Sequence, residues 1–272
     1  MKSILDLGSN TAKLYQVAPD GSLKNTANAS WRLLEAATSP AMIRGILTKL
    51  MRLAGEAPQL AIGTAAFRRS PRLAKLAAQI CTDLGIPFRV ISQVEEAELI
   101  RLAALRNDIP PTCHLVNVGG GSVQIIHPDR TRPSLLDFGI ADLNAKFSLA
   151  GAPGLRQTAD AIEWVAERAP EGIGDFAYTG GERAYLRSVG AALEANGRCS
   201  HMEFLRIAQE LEALPTRALR ELSPYDPSWM QGAVASNCIV LALLSRAGLS
   251  SFLPVDLNIS DGLLSEICDA RR

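Results

Sequence analysis

Histidine and cysteine are scarce in this sequence, and neither occurs in a metal-binding pattern. The three histidines (His114, His127, His201) and five cysteines (Cys81, Cys113, Cys199, Cys238, Cys268) lie far apart, with no CxxC pair and no ligand spacing; this excludes the usual zinc sites. An odd number of scattered thiols also argues against a disulfide framework, so the cysteines read as reduced packing residues. No sign of charge dominates. Lys plus Arg and Asp plus Glu each total 28, spread along the chain instead of gathered in a stripe, so no general attraction to nucleic acid is predicted. Any anionic ligand has to be held locally. No continuous apolar run reaches the ~18 residues of a membrane span, and the opening MKSILDLGSN turns polar after five residues. Neither membrane insertion nor export is therefore predicted, and the expected compartment is the cytoplasm.

What the chain does have is apolar mass: 272 residues, 47% of them hydrophobic. Such a chain buries roughly three quarters of its unfolded surface, enough for one large domain or two modest ones. Residues 3–7 and 11–17 read as apolar strands around Gly8-Ser9-Asn10, and Pro19-Asp20-Gly21 marks the turn into a third strand. The pattern then alternates: helix 40–54, strand 58–62, helix 71–84, strand 87–91, helix 93–106, strand 113–118. This predicts an α/β fold with a mixed or parallel sheet flanked by helices. Beyond it, helices are expected over 157–168, 182–195, 202–222 and 229–246, with a strand near 174–179. The turn His127-Pro128-Asp129-Arg130 places the expected boundary between domains of residues 1–127 and 128–272. The apolar run Ile239–Leu244 reads as second-domain core, with the surface of a homodimer as the alternative.

Two segments echo each other. Asp6-Leu7-Gly8 and Asn117-Val118-Gly119 each place a carboxylate or amide at the end of an apolar strand, then a small turn containing glycine. Glycines leave backbone N–H groups open to a phosphate, and Ser9, Asn10, Thr11 and Ser122 add donors beside Gly8, Gly119, Gly120 and Gly121. Either turn alone is also simply a tight connection; two of them in one chain strengthen the phosphate reading.

Glu96 opens a predicted helix beside Glu95 and Glu98. At ~100° per residue it falls within the arc of Ala97, Leu99, Ile100, Ala103 and Ala104, so its carboxylate points inward. A buried carboxylate needs a cation, a hydrogen bond or a polar opening; a general base and a buried ion pair with an arginine both satisfy that need. Arg68, in Gly63-Thr-Ala-Ala-Phe-Arg68, follows an apolar strand at the carboxyl end where α/β ligand sites form, and its guanidinium suits a phosphate. Arg69 and Arg72 read as a solvated basic turn.

Taken in order, Ile4–Thr11, Gly63–Arg68, Val90–Ala97 and Asn117–Ser122, with the weaker Thr179-Gly-Gly181 and Asn258–Leu264, resemble the motifs of the exopolyphosphatase/guanosine pentaphosphate phosphatase family, a branch of the actin, Hsp70 and sugar kinase superfamily. The resemblance is close to about residue 127 and loose afterwards. It implies a two-domain actin-like fold with phosphate in an interdomain cleft, inorganic polyphosphate or a phosphorylated guanosine nucleotide as substrate, and Glu96 as general base. It also implies phosphate binding by residues 8–11, Arg68, Asn117, Gly119–Ser122 and Gln124, and magnesium held through Asp6.

The sequence departs from the family at two places. Asn117 stands where aspartate is usual and Gln124 where glutamate is usual, so two anionic positions are neutral and a magnesium site is weakened. Amides donate hydrogen bonds, so both are expected to hold phosphate oxygens directly. A segment that usually carries an arginine after a glycine reads here as Gly139-Ile-Ala-Asp-Leu143. The sequence thus supports a phosphohydrolase and, as the alternative, a phosphate or nucleotide sensor of the same family that has lost catalytic power. A sugar kinase of the same fold rests only on Thr179-Gly-Gly181.

Overall fold

A computed structural model describes residues 2–18, 22–34, 39–56, 58–129 and 132–269, with side chains to 264. The turn expected at Pro19-Asp20-Gly21, Arg130 and the Cys268 side chain lie outside the described residues. The chain divides into two units: Met1–Ala103 with Ile259–Arg272, and Ala104–Asn258.

Unit 1 carries a five-stranded sheet ordered β3-β2-β1-β4-β5. Strands β1 (Ser3–Leu7), β2 (Thr11–Val17) and β3 (Leu23–Ser30) form the expected antiparallel meander, and β4 (Leu60–Gly63) and β5 (Phe88–Val90) extend it in parallel from β1. Helix α1 (Pro40–Ala54) starts where its sequence signals say: Pro40 sits in the first turn, and the Met42 N–H donates to the Ser39 hydroxyl at 3.1 Å, which satisfies one of the open N–H groups of a helix start. Its buried residues, Ile43, Leu47, Leu50 and Ala54, recur every three or four positions and form one apolar stripe against the core. Two further helices follow β4: the short α2 (Ala65–Arg69) and α3 (Pro71–Asp83). Phe67 pins α2, its ring edge-on to Trp31 at 6.1 Å and to Phe88 at 5.7 Å; burial of such a side chain contributes about 1.5–3 kcal/mol. Helix α4 (Gln93–Arg106) runs through the chain position where the units divide.

Unit 2 carries a six-stranded sheet ordered β10-β11-β9-β6-β7-β8. Its strands are β6 (His114–Val118), β7 (Val123–Ile126), β8 (Ser134–Leu136), β9 (Phe176–Thr179), β10 (Cys199–Ser200) and β11 (Ser251–Val255). The glycine turn joins the antiparallel pair β6 and β7, with Asn117 opposite Gln124, while β6 runs parallel to β9. Helices α5 (Ile140–Phe147), α6 (Leu155–Arg168), α7 (Glu182–Ser188), α8 (His201–Glu212), α9 (Thr216–Glu221) and α10 (Ala233–Ala247) complete this unit.

Three expectations need correction. The domain boundary does not fall at 127/128, because β7 and β8 on either side of it pair within one sheet, and the last helix, α11 (Ile259–Asp269), returns to unit 1. There a Cβ on Gly262 would come within 2.1 Å of the Leu99 carbonyl oxygen, so glycine permits α11 to approach α4 closely. The single helix expected over 202–222 is two, since Pro215 cannot continue it and turns the preceding residue away from helical geometry. Helix α7 ends at Ser188, well short of the predicted 195.

Pro227–Ala247, which includes a 3-10 turn before α10, has the length and apolarity of a membrane span, although no continuous apolar run announced it. Every residue of α10 from Ala233 to Leu244 is buried. That includes Ile239–Leu244, which packs in the core of unit 2.

Candidate functional site

Unit 1 assembles its predicted residues around the β1–β2 turn. The Gly8 N–H donates to the Thr11 carbonyl at 3.0 Å and closes the turn. The Trp31 indole N–H donates to the Gly8 carbonyl at 2.8 Å, a clamp that no local pattern announced. Buried Ser9 turns its hydroxyl away from solvent, where it accepts the Ala66 N–H at 3.0 Å. This bond ties the turn to the first residues of α2. The Asn10 carbonyl accepts the Trp31 and Arg32 N–H groups, and its side-chain oxygen has no hydrogen-bond partner among the described residues.

Helix α2 then carries Arg68 to Glu96. Arg68 Nη1 donates to Glu96 Oε2 at 2.8 Å and to the Ile91 carbonyl at 3.0 Å. Of the two ways to satisfy an inward carboxylate, the structure shows the ion pair with arginine, and the phosphate-facing arginine of the sequence reading is engaged to the carboxylate. Glu96 is 5% exposed, and Ala97, Leu99, Ile100, Ala103 and Ala104 of the same arc are all buried, as the helical spacing predicts. Burial pushes the Glu96 carboxyl up to about 6; the charge and hydrogen bond of Arg68 pull it down, and the charge of Asp6 pushes it up again. Asp6, buried at the end of β1, is also raised by burial, with Lys13 pulling the other way. Turn, arginine and two coupled carboxylates therefore form one polar cluster inside unit 1. A carboxyl near 6 changes protonation close to neutral pH, as a general base requires.

In unit 2 the side chains paired across the turn are neutral, while Asp142 at the start of the following helix accepts the Gly139 N–H at 2.8 Å. Gly119 N–H donates to the Ser122 carbonyl at 2.9 Å, the counterpart of the Gly8 bond. Asn117 Nδ2 donates to Gln124 Oε1 at 2.6 Å, and Gln124 Nε2 donates to Ser122 Oγ at 2.9 Å. All three side chains are buried, Gln124 at 0% exposure. One N–H of each amide is thus engaged within this network, that of Asn117 by Gln124 and that of Gln124 by Ser122. The turn is also held from behind by the start of α5, where the Ile140 N–H donates to the Gly119 carbonyl at 3.1 Å and the Ala141 N–H to the Gly120 carbonyl at 2.8 Å. Two carbonyls of the turn are thus occupied by α5. A Cβ on Gly139, the residue before α5, would meet the Gly119 oxygen at 2.4 Å and the Gly121 and Ser122 nitrogens at 2.7 Å. The glycine of the segment that lacks the expected arginine is therefore the seat of the turn.

The metal expectation meets a donor set that does not fit it. Magnesium favours carboxylate and water oxygens, whereas the positions across β6 and β7 present a closed pair of amides. Among the described residues no group of three or more His, Cys, Asp or Glu side chains is placed to hold a metal. Asp6 remains the one carboxylate of the predicted cradle.

Comparison with known proteins agrees with this architecture. The model of the Ppx/GppA phosphatase family matches residues 52–226, more than half of the chain. No curated protein matches by sequence. Among solved structures, an exopolyphosphatase from Cytophaga hutchinsonii superimposes with a TM-score of 0.80 at 19% identity, over 98% of this chain and 97% of that one. The Ppx/GppA family member from Aquifex aeolicus gives 0.71 at 16% identity, over 99% and 98%. An exopolyphosphatase-like protein gives 0.75 at 15% identity, over 99% of both chains. At such identities the likeness is one of fold, and that fold is the two-domain, actin-like one.

Proposed function

This chain belongs to the Ppx/GppA phosphatase family, and from that premise we propose that it removes a terminal phosphate from inorganic polyphosphate or from a guanosine tetra- or pentaphosphate. The observation that carries this reading is Glu96, a buried carboxyl held near pH 6 beside Arg68, with α2 bonded directly to the first glycine turn.

In this reading a water molecule attacks the terminal phosphorus in line with the bridging oxygen. The new P–O bond forms as the bridging P–O bond breaks, the water proton passes to Glu96, and the shortened phosphate chain leaves with the bridging oxygen. Backbone N–H groups of the glycine turn between β1 and β2 hold nonbridging oxygens. A guanidinium has five N–H donors, so Arg68 can engage phosphate as well as Glu96. Orienting donors toward the developing charge is the larger share of such catalysis, and a positioned base supplies about 10²–10⁴ in rate. No step is assigned to a metal.

The alternative, a sensor that binds without hydrolysis, is favoured by one observation: the paired amides Asn117 and Gln124 where carboxylates are usual. Phosphate release from polyphosphate and from guanosine pentaphosphate, with wild type and Glu96→Ala, separates the two. The hydrolase reading expects a loss of about 10²–10⁴ in turnover with substrate binding retained. Release unchanged by the substitution removes Glu96 from the mechanism; a ligand-induced melting shift with no product in wild type establishes the sensor.

A further inference from the structure

We infer that Trp31 is a positioning residue of the site in unit 1: through its indole N–H and the short strap of backbone it begins, it sets the direction in which the β1–β2 turn presents its N–H groups. The inference deepens the proposed function and rests on phosphate being the ligand of this turn.

Three consecutive carbonyls of the turn are held by residues 31–33. The Gly8 carbonyl accepts the Trp31 indole N–H at 2.8 Å, the Ser9 carbonyl accepts the Leu33 N–H at 2.7 Å, and the Asn10 carbonyl accepts the Trp31 and Arg32 N–H groups at 2.9 and 3.1 Å. A peptide unit is planar, and none of these is cis, so the carbonyl of one residue and the N–H of the next point to opposite sides. Holding the Gly8 carbonyl against Trp31 therefore turns the Ser9 N–H away from the indole, and holding the Ser9 carbonyl against Leu33 does the same for the Asn10 N–H. Neither of these two N–H groups donates to an acceptor among the described residues. Adjacent backbone donors left open in this way are what an anion requires.

The strap is built to keep that direction. Trp31 and Leu33 are buried, so their bonds to the turn form where water competes little. Arg32 between them adopts a φ of 48°, a left-handed backbone that is uncommon outside glycine and that the surrounding structure has to sustain. With the chain bent there, two successive N–H groups converge on the Asn10 carbonyl. Trp31 also has a second task, because its ring stands edge-on to Phe67, the residue before Arg68 on α2. A buried indole N–H needs one acceptor; here that acceptor belongs to the peptide unit that carries the Ser9 N–H. A phenylalanine at 31 keeps an aromatic ring against Phe67 but leaves the Gly8 carbonyl without its donor. Packing and orientation are thus carried by different parts of one side chain and can be separated.

The test compares wild type with Trp31→Phe in hydrolysis of inorganic tripolyphosphate across pH and in nuclear magnetic resonance of the Ser9 and Asn10 amides during titration with tripolyphosphate, with folding checked by circular dichroism. Trp31→Phe is expected to lower kcat/KM by at least about tenfold, since an oriented donor to the transferring phosphate is loosened. The acidic limb of its pH–rate profile should stay in place, and the ligand-induced shift of the Ser9 amide should shrink. If Trp31→Phe does not fold, 3-benzothienylalanine at position 31, which exchanges the indole N–H for sulfur in a ring of the same shape, carries the same measurements. If wild type binds tripolyphosphate without releasing phosphate, the dissociation constant takes the place of kcat/KM. Unchanged kcat/KM and an unchanged Ser9 shift overturn the inference and leave the proposed function standing. So does a loss accompanied by movement of the acidic limb, since Trp31 would then act through α2 and the Arg68–Glu96 pair. Absence of both hydrolysis and binding in wild type overturns the inference and the proposed function together.

Discussion

The two glycine turns solve one backbone problem with opposite electrostatics. Both join antiparallel strands, and both close with an N–H to carbonyl bond of 3.0 or 2.9 Å between equivalent positions. A Cβ on Gly8 or Gly119 would meet the carbonyl at the far end of its turn at 3.1 or 3.2 Å. Around the first turn stand two buried carboxylates and an arginine; around the second stand two amides and a hydroxyl, with Asp142 bonded to the Gly139 N–H behind it. Backbone geometry is thus shared, and side-chain charge divides the labour. The first turn lies beside groups able to move a proton, while the second is tied together by two amides. The same contrast appears in the buried acids. Glu96 is paired with Arg68, whereas Glu182 in unit 2 is 1% exposed, its Oε1 has no hydrogen-bond partner among the described residues, and burial together with the charge of Asp256 raises its carboxyl well above the ordinary range.

The comparison breaks most visibly at Gly139. A valine there must displace the Gly119 oxygen and the Gly121 and Ser122 nitrogens, and overpacking of this kind costs about 1–3 kcal/mol. For a chain of this length that corresponds to a fall of roughly 2–10 °C in Tm, with tripolyphosphate binding lost more than stability alone accounts for. Thermal melts and calorimetry on Gly139→Val check both parts; a variant that melts and binds like wild type would show that α5 does not seat the turn.

A smaller effect is expected at Glu182. Its carboxyl is raised in the folded state from an ordinary value of 4.5, so the folded chain binds the extra proton. Its contribution is fully favourable below about 4.5 and is lost as pH rises through the folded value. Glu182→Gln should therefore raise Tm at pH 8 by roughly 2–4 °C, the size of a 1 kcal/mol gain, and the advantage should shrink toward pH 4.5. A constant offset across that range would mean the carboxyl does not titrate in the fold.

Arg68→Met sharpens the contrast from the other side. Arg68 pulls the Glu96 carboxyl down toward about 6, so its removal should move the acidic limb of the pH–rate profile upward, whatever happens to its height. An unmoved limb would assign it to another group. The smallest effect is expected at Glu98, on the same helix as Glu96 but exposed and paired with Arg101: Glu98→Ala should leave turnover unchanged and shift stability by no more than about 1 kcal/mol.

Much of unit 1 was legible because its signals are local. Ser39-Pro40 announces α1, the period of α4 turns Glu96 inward, and the order of strand and helix gives the sheet. The limits of that legibility are equally physical. Spacing placed the Glu96 carboxylate inside but left base and ion pair open, because its partner lies 28 residues away in sequence on a five-residue helix too short to show a period. Asn117 and Gln124 were recognisable as departures, yet the sense of their hydrogen bonds depends on strand register, which pairs them across the turn. Gly139 looked like a motif that had lost its arginine; only the turn it supports explains the glycine. The division of the chain was misread because α11 belongs with strands more than 200 residues earlier, and nothing in its own residues states that. The break between α8 and α9, by contrast, is signalled locally by Pro215.

That return of α11 has a consequence for synthesis. Unit 1 is assembled from two stretches of chain that bracket all of unit 2, so on the ribosome the later-encoded domain has its whole sequence available first. The opening meander can pack against α1 early, but its contacts with α11 must wait until residue 259 and beyond emerge, and domains generally fold as units once their chain is complete. The half of the protein that carries Glu96 and Arg68 is thus the last to be finished, after a unit that can already have folded.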